Sequence, residues 1–198
     1  MELDLGLAGA PLVLRGFAKL QTFADDLAAI AARAPFRCMM TPSGRAMRVE
    51  MTNCGTYGWT ADRSGYRYVT ADPLGAAAWP AMPEEWRRLA VRAAGEGGFA
   101  FEPDACLINR YGCGVGMGAH RDTDERDPRH PIVTVSLGAT ATFFYGPKRT
   151  GMRRIAVNDG DVVVMGGALR HMYHGVAPLP RRLQPESDRI SLTFRRAV

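Results

Sequence analysis

At 198 residues, with 46% hydrophobic and 23% charged side chains, the chain has the length of one domain and enough apolar material to fill a core. It contains no apolar run near the ~18–20 residues of a membrane span, and its composition is not that of a disordered polymer. The 25 basic and 20 acidic residues leave a formal charge of +5, which suits a polyanionic partner without requiring one.

The segment from Met1 to Leu5 lacks the basic start and long apolar stretch of a secretory signal, so a cytoplasmic location is expected. Cys38, Cys54, Cys106 and Cys113 form no C-x-x-C pair, and in a domain of this size they read as reduced thiols. An apolar run from Pro11 to Phe17 precedes Leu20, Phe23, Leu27, Ile30 and Ala34, whose three- and four-residue spacing predicts an amphipathic helix ending at Pro35. Turn signals at Pro42-Ser43-Gly44, Asn53-Cys54-Gly55 and Ser64-Gly65, with Met47, Val49 and Met51 alternating between the first two, predict hairpins over 36–70. Pro83 followed by Glu84 and Glu85 suits a helix start; Trp86, Leu89, Ala90 and Ala93 continue it, and Gly95 and Gly97-Gly98 end it.

From Asp104 onward the pattern changes to short strand runs: Ala105–Tyr111, Ile132–Gly138, Ala141–Gly146, Arg154–Val157, Asp161–Met165 and Arg189–Arg195. Turns such as Asn158-Asp159-Gly160 and Gly166-Gly167 join them. Strands without intervening helices predict an antiparallel sandwich or barrel, with the two helices covering one sheet, in a single α+β domain over 1–198.

The last strand alternates informatively. Ile190, Leu192 and Phe194 share one face, while Arg189, Ser191, Thr193 and Arg195 share the other. Such a polar face is either wet or turned inward onto a polar ligand. On Ala105–Tyr111 an amide and a phenol, Asn109 and Tyr111, also lie two apart on one face. An arginine turned inward needs an anion, because a buried unpaired charge costs several kcal/mol, so the inward reading calls for a ligand bearing carboxylates or phosphates.

Histidine is scarce, at positions 120, 130, 171 and 174. His120-Arg121-Asp122 places an imidazole and a carboxylate on one side of an extended stretch just past a glycine-rich bend, and His174 offers a second imidazole downstream. Two His and one carboxylate leave three metal positions open, as non-haem Fe(II) requires to take a cosubstrate and O₂ together. Zinc bound by the same set would suit a Lewis-acid hydrolase, although a mononuclear hydrolase leaves Arg189 and Arg195 without a role. His171 competes with His174 as ligand; His174 is preferred because Gly175-Val176 resumes extended chain, and His130, before Pro131, reads as a solvent-exposed loop residue.

With these residues in hand, the chain resembles the bacterial AlkB-type dioxygenases, iron- and 2-oxoglutarate-dependent enzymes that reverse N-alkyl damage in nucleic acids. The resemblance runs through Met51-Thr-Asn-Cys-Gly55, Trp79-Pro-Ala-Met-Pro83, Pro103-Asp-Ala-Cys-Leu-Ile-Asn-Arg-Tyr111, Gly160-Asp-Val-Val-Val164, Tyr173-His-Gly175 and Leu192-Thr-Phe-Arg195. It implies a double-stranded β-helix, or jelly roll, with N-terminal helices, a nucleotide-recognition lid over about 36–80 and a catalytic core over about 104–198. It further implies that His120, Asp122 and His174 hold Fe(II) and that Arg189 pairs with the distal carboxylate of 2-oxoglutarate. Arg195, Asn109 and Tyr111 would contact the cosubstrate's other end or fix its orientation. Decarboxylation to succinate and CO₂, with O₂ consumed, would hydroxylate an N-methyl group that then departs as formaldehyde.

The same resemblance implies 1-methyladenine- and 3-methylcytosine-type lesions in DNA, single strands favoured, with RNA as a further polymer; no membrane and no obligate protein partner is implied. Such lesions are cationic and pair poorly, so extracting one from a strand costs less than extracting an intact base. Trp59 and Tyr66 would contact the flipped base and its backbone, Met51 and Leu107 would line its pocket, Asp124 would offset its charge, and Arg149 would meet phosphate or the base rim. Three departures stand out: Ser191 replaces an Asn, which bears on a cosubstrate hydrogen bond; Arg121 replaces a Gln, adding a cation beside the metal; and Gly112–Gly118 lacks the family's basic residue. Two alternatives keep less of the resemblance: the same chemistry on a protein or small molecule, or an idle nucleic-acid-binding module.

Overall fold

A computed structural model of the protein describes residues 3–4, 9–19, 21, 23–180 and 188–198; Leu20, expected on the first helix stripe, lies outside them. In chain order the elements are β1 (Leu3–Asp4), β2 (Leu12–Leu14), α1 (Phe23–Arg33), β3 (Arg37–Met40), β4 (Ala46–Gly55), β5 (Gly58–Asp62), β6 (Gly65–Val69) and α2 (Glu84–Glu96). There follow β7 (Ala105–Tyr111), β8 (Met117–His120), β9 (Ile132–Gly138), β10 (Ala141–Gly146), β11 (Arg153–Val157), β12 (Val162–Met165), a 3-10 helix (Gly167–His171), β13 (Tyr173–Val176) and β14 (Arg189–Arg195).

Period-two alternation builds two facing sheets. The larger has the order β1-β2-β12-β9-β14-β7-β4-β3 and the smaller the order β11-β10-β13-β8, while β5 and β6 form a separate hairpin. The strand pairings are antiparallel, as in a jelly roll. On the outer face of the large sheet, Cys106, Ile108, Val133, Val135, Val162, Val164, Ile190, Leu192 and Phe194 pack with Ile30 of α1 and Trp86, Leu89, Ala90 and Ala93 of α2. Trp86 is fully buried there, and its truncation to alanine would cost about 3–5 kcal/mol. Arg110, the polar exception on the outer face of β7, stays at the sheet margin, where it pairs with Glu50 at 2.9 Å and covers the Phe36 ring.

The second core lies between the sheets, where Val49, Met51, Leu107, Tyr111, Val163 and Met165 meet Phe143, Tyr145, Val157 and Val176. The inward side of β14 belongs to this space, and all seven of its residues are buried. The polar face of the last strand is therefore enclosed by protein, not wet.

Several boundaries follow from local chemistry. The first helix closes with the Ala34 N–H donating to the Ile30 carbonyl, one residue before Pro35 halts it. Asp161, expected to open a strand, instead accepts from Arg15, the Gly16 N–H and the Asn158 N–H, and β12 starts one residue later. The Asn158–Gly160 turn is present, with Gly160 at φ +77°. Gly166-Gly167, expected as a simple turn, leads into the 3-10 helix. Within the expected lid over 36–80, β3 and β4 extend the large sheet, with Glu50–Gly55 of β4 paired to β7, while β5 and β6 form their own hairpin. No disulfide joins the four cysteines, and among the described residues no helix is long and apolar enough to cross a membrane.

Candidate active site

The register of the small sheet brings the two imidazoles together. His120, the last residue of β8, is the cross-strand partner of His174 on β13, and their ring centroids are 4.4 Å apart. The strands approach closely because Gly175 follows: a Cβ there would lie 2.5 Å from the Met117 carbonyl oxygen. Two residues past His120 the chain turns and returns Asp122 to the same spot. Its Oδ1 lies 3.6 Å from His120 Nε2 and its Oδ2 lies 3.6 Å from His174 Nε2.

Each Nδ1 is already occupied. His120 Nδ1 lies 2.9 Å from the Gly118 carbonyl oxygen and His174 Nδ1 lies 3.2 Å from that of Met172. With a proton donated at Nδ1, each ring keeps its Nε2 lone pair for an ion. Burial lowers the His174 pKa to about 4, only partly opposed by the Asp122 carboxylate, so this ring is neutral near pH 7. Burial raises the Asp122 carboxyl, but the charges of Arg195, His174 and His120 outweigh it and hold the group below the usual carboxylate range. The three ligand atoms lie within 4.8 Å of one another, and among the described residues no other such cluster of His, Cys, Asp or Glu occurs. A two-nitrogen, one-carboxylate set with open positions fits Fe(II). His171 is exposed on the 3-10 helix and is not part of this cluster. His130, expected to be exposed, is half-buried with Nε2 3.8 Å from Asp127 Oδ2.

On the inner face of the large sheet, β14 lies between β7 and β9, and their registers stack polar rows. Arg189 lies opposite Tyr111, and Ser191 lies between Asn109 and Ser136. Arg189 is 1% exposed; Nη2 donates to Ser136 Oγ at 3.0 Å, the guanidinium lies over the Tyr111 ring, and Nε and Nη1 have no partner among the described residues. Asn109 donates to Ser191 Oγ at 3.3 Å while its own Oδ1 is without a partner. A buried cation with two spare donors fits an anionic carboxylate such as that of 2-oxoglutarate. Arg195, at the far end of the same face, is held only in part: Nη2 donates to Asp122 Oδ2 at 3.1 Å and Nε lies 3.2 Å from Glu125 Oε1 as an ion pair, while Nε and Nη1 have no hydrogen-bond partner among the described residues.

The β5–β6 hairpin presents Trp59, Ala61, Tyr66 and Tyr68 on one face, as the register requires. Trp59 and Tyr66 stack at 5.5 Å, and Trp59 Nε1 donates to Asp124 Oδ2 at 2.7 Å, binding the hairpin to the loop beyond the metal ligands. Tyr66 is 46% exposed, so this is a surface platform and not a core contact. Met51 and Leu107 are buried between the sheets. Arg149 is placed with Arg121: both guanidiniums lie over the Tyr173 ring, at 5.1 and 4.0 Å from its centroid. Sequence patterns missed Ser136, Tyr68, Glu125, Tyr173 and Arg170. Glu125 had a local signal, three residues past Asp122, whereas Arg170, three residues past the Gly166-Gly167 turn, had none.

This site matches a known family along the chain. Residues 11–195 match the family described as the 2OG-Fe(II) oxygenase superfamily. The chain belongs to that superfamily. Within it the chain is an AlkB-type dioxygenase: it is 47% identical over 199 residues to the alpha-ketoglutarate-dependent dioxygenase AlkB of Salmonella typhimurium, covering 97% of this chain and 92% of the relative. It is 46% identical to the protein of the same name from Escherichia coli, over 96% of this chain and 92% of that one. The solved structure of OsALKBH1 superposes with a TM-score of 0.80 at 24% identity, covering 96% of this chain and 98% of the other, which supports the same fold. Superfamily membership makes Fe(II), 2-oxoglutarate and O₂ the reagents of this site, and its donor set is suited to the first two.

Proposed function

We propose that this protein removes methyl groups oxidatively from N-alkylated bases of nucleic acids, with single-stranded DNA favoured and RNA as a further substrate, in direct reversal of damage. His120, Asp122 and His174 would hold Fe(II), and Arg189 would hold the distal carboxylate of 2-oxoglutarate. Iron, when bound with 2-oxoglutarate and O₂, supplies the oxidation that converts the cosubstrate to succinate and CO₂ and releases the methyl group as formaldehyde.

The chain's own residues supply the rest. Tyr111 backs the Arg189 guanidinium, and Ser136 fixes one of its nitrogens, so its remaining donors are pre-aimed. Asn109 and Ser191 form the polar floor between the two arginines of β14. Met51 and Leu107, both buried, line the dry side of the base pocket. Trp59 and Tyr66 offer the aromatic surface on which an extruded base stacks. Asp124, held by the Trp59 indole, places a carboxylate near a cationic lesion. Arg121 and Arg149 share Tyr173 and have no acidic partner among the described residues, an arrangement suited to the phosphodiester backbone.

The observation that carries this reading is the buried Arg189 with two spare donors, on the sheet face that also presents Arg195 to the metal carboxylate. A mononuclear zinc hydrolase would leave that cation without a counter-charge. The test ranks formaldehyde release across single- and double-stranded DNA and RNA carrying 1-methyladenine or 3-methylcytosine, methylated peptides and free methylated metabolites. Single-stranded DNA is expected to lead; peptides or metabolites ahead of every oligonucleotide would reject the nucleic-acid reading.

A further inference from the structure

One buried carboxylate serves three elements at once. Glu125 accepts a hydrogen bond from Arg170 Nη2 at 2.6 Å, accepts another from Tyr68 Oη at 2.5 Å, and has Arg195 Nε 3.2 Å from Oε1. Its side chain is 3% exposed. Arg195 in turn donates to Asp122 Oδ2, so a two-step path leads from Glu125 to the carboxylate of the metal cluster. Arg170 strengthens the same join: Nη1 donates to the Asp122 backbone carbonyl at 2.6 Å and Nε donates to that of His130 at 3.3 Å. Arg170 lies on the 3-10 helix that leads into β13, the strand carrying His174. Tyr68 comes from β6, on the hairpin face that also sends Trp59 to Asp124.

The guanidinium of Arg170 therefore links the segment bearing His174 to the segment bearing Asp122, and Glu125 links both to the hairpin. A buried ionic cluster is a poor way to gain stability, since apolar packing of equal volume often does as well, but its removal in part leaves charges unpaired and lets them move. Groups that orient a metal's ligands typically change metal affinity 10- to 100-fold when altered.

We propose that Glu125, clamped by Arg170, is a positioning residue with two effects: it sets the Asp122 carboxylate for the metal through Arg195, and it fastens the β5–β6 hairpin beside the site through Tyr68. The second effect rests on the nucleic-acid reading above; the first does not.

The test uses the full-length protein stripped of metal, titrated calorimetrically with Mn(II), and then steady-state kinetics on a methylated oligonucleotide. Glu125→Gln keeps the volume and an acceptor for Tyr68 but discards the charge facing two arginines. It is expected to weaken Mn(II) binding roughly tenfold. Tyr68→Phe cuts only the link to the hairpin, and is expected to leave Mn(II) affinity within twofold while raising the oligonucleotide KM severalfold at nearly constant kcat. If Glu125→Gln does not fold, Arg170→Lys, which keeps the charge but loses the planar fork, carries the same Mn(II) expectation. Mn(II) binding by the folded variant within twofold of the parent would overturn the positioning of Asp122, and an unchanged KM in Tyr68→Phe would overturn the hairpin link. The titration involves no nucleic acid, so it stands whichever polymer is the substrate.

Discussion

His120 and His174 are direct cross-strand partners whose rings meet at 4.4 Å, each anchored at Nδ1 by a backbone carbonyl. Their convergence with Asp122 is built into strand register and does not depend on an ion to assemble it. Binding should therefore stabilise the folded chain by mass action: at a hundredfold excess of free Mn(II) over its Kd the gain is about 2.7 kcal/mol, or roughly 5–10 °C in Tm. Differential scanning fluorimetry of chelated protein before and after Mn(II) addition checks this, and no shift in the parent would count against the cluster as a metal site.

The same cluster sets an acid limit on the metal-free protein. His174 titrates at about 4 when folded against 6.5 unfolded, because burial disfavours the imidazolium. Between those values the unfolded chain binds the extra proton, so stability rises with pH and falls as pH drops through the window. At pH 5 the loss relative to pH 7 is about 2 kcal/mol from this residue. Asp122, whose folded carboxyl is held below its ordinary 3.8, adds a further loss in the same direction below that pH. Urea unfolding in chelator at pH 7 and pH 5 measures the difference, and it should shrink in His174→Gln.

Arg189 separates cosubstrate binding from stability. Replacing it with methionine removes a buried cation whose Nε and Nη1 have no partner, so the metal-free fold should hold or gain stability. The 2-oxoglutarate KM should nevertheless rise roughly ten- to hundredfold, from the loss of charge-assisted hydrogen bonds. Succinate production against 2-oxoglutarate concentration, beside thermal melts, reads both effects.

Arg121 and Arg149 predict salt dependence. If both meet phosphates, Arg121→Gln and Arg149→Gln should each weaken oligonucleotide binding uniformly across sequences and flatten the plot of log affinity against log salt by about 0.7. Fluorescence anisotropy from 50 to 300 mM NaCl provides the slopes. A slope matching the parent's would assign these side chains to Tyr173 alone.

Much of the framework was legible because alternation is a local signal. The runs Ala105–Tyr111, Ile132–Gly138, Ala141–Gly146 and Arg189–Arg195 are strands at those limits, and the polar face of the last one does turn inward. The spacing of His120 and Asp122 pointed to a metal, and His174 was the better partner because it opens onto a strand. What was not legible depends on tertiary contact. β8 is a four-residue edge strand of Met, Gly, Ala and His, with no alternation to detect, and it is fixed by pairing with β13. The integration of β3 and β4 into the large sheet depends on register with β7, which no local pattern encodes. Arg170 and Glu125 lie 45 residues apart and carry no motif; only the fold makes them neighbours.

Iron held by His120, Asp122 and His174, with 2-oxoglutarate anchored on Arg189 and O₂ present, would supply the oxidation of an N-methyl group on a base. The most direct measurement of this is the ratio of formaldehyde to succinate formed from a single-stranded oligonucleotide carrying one 1-methyladenine, with Fe(II), 2-oxoglutarate and O₂ present. A ratio near one, falling to background when Asp122→Asn replaces the parent, is the expected result. Succinate formed without formaldehyde, or formaldehyde release undiminished in Asp122→Asn, would contradict the account.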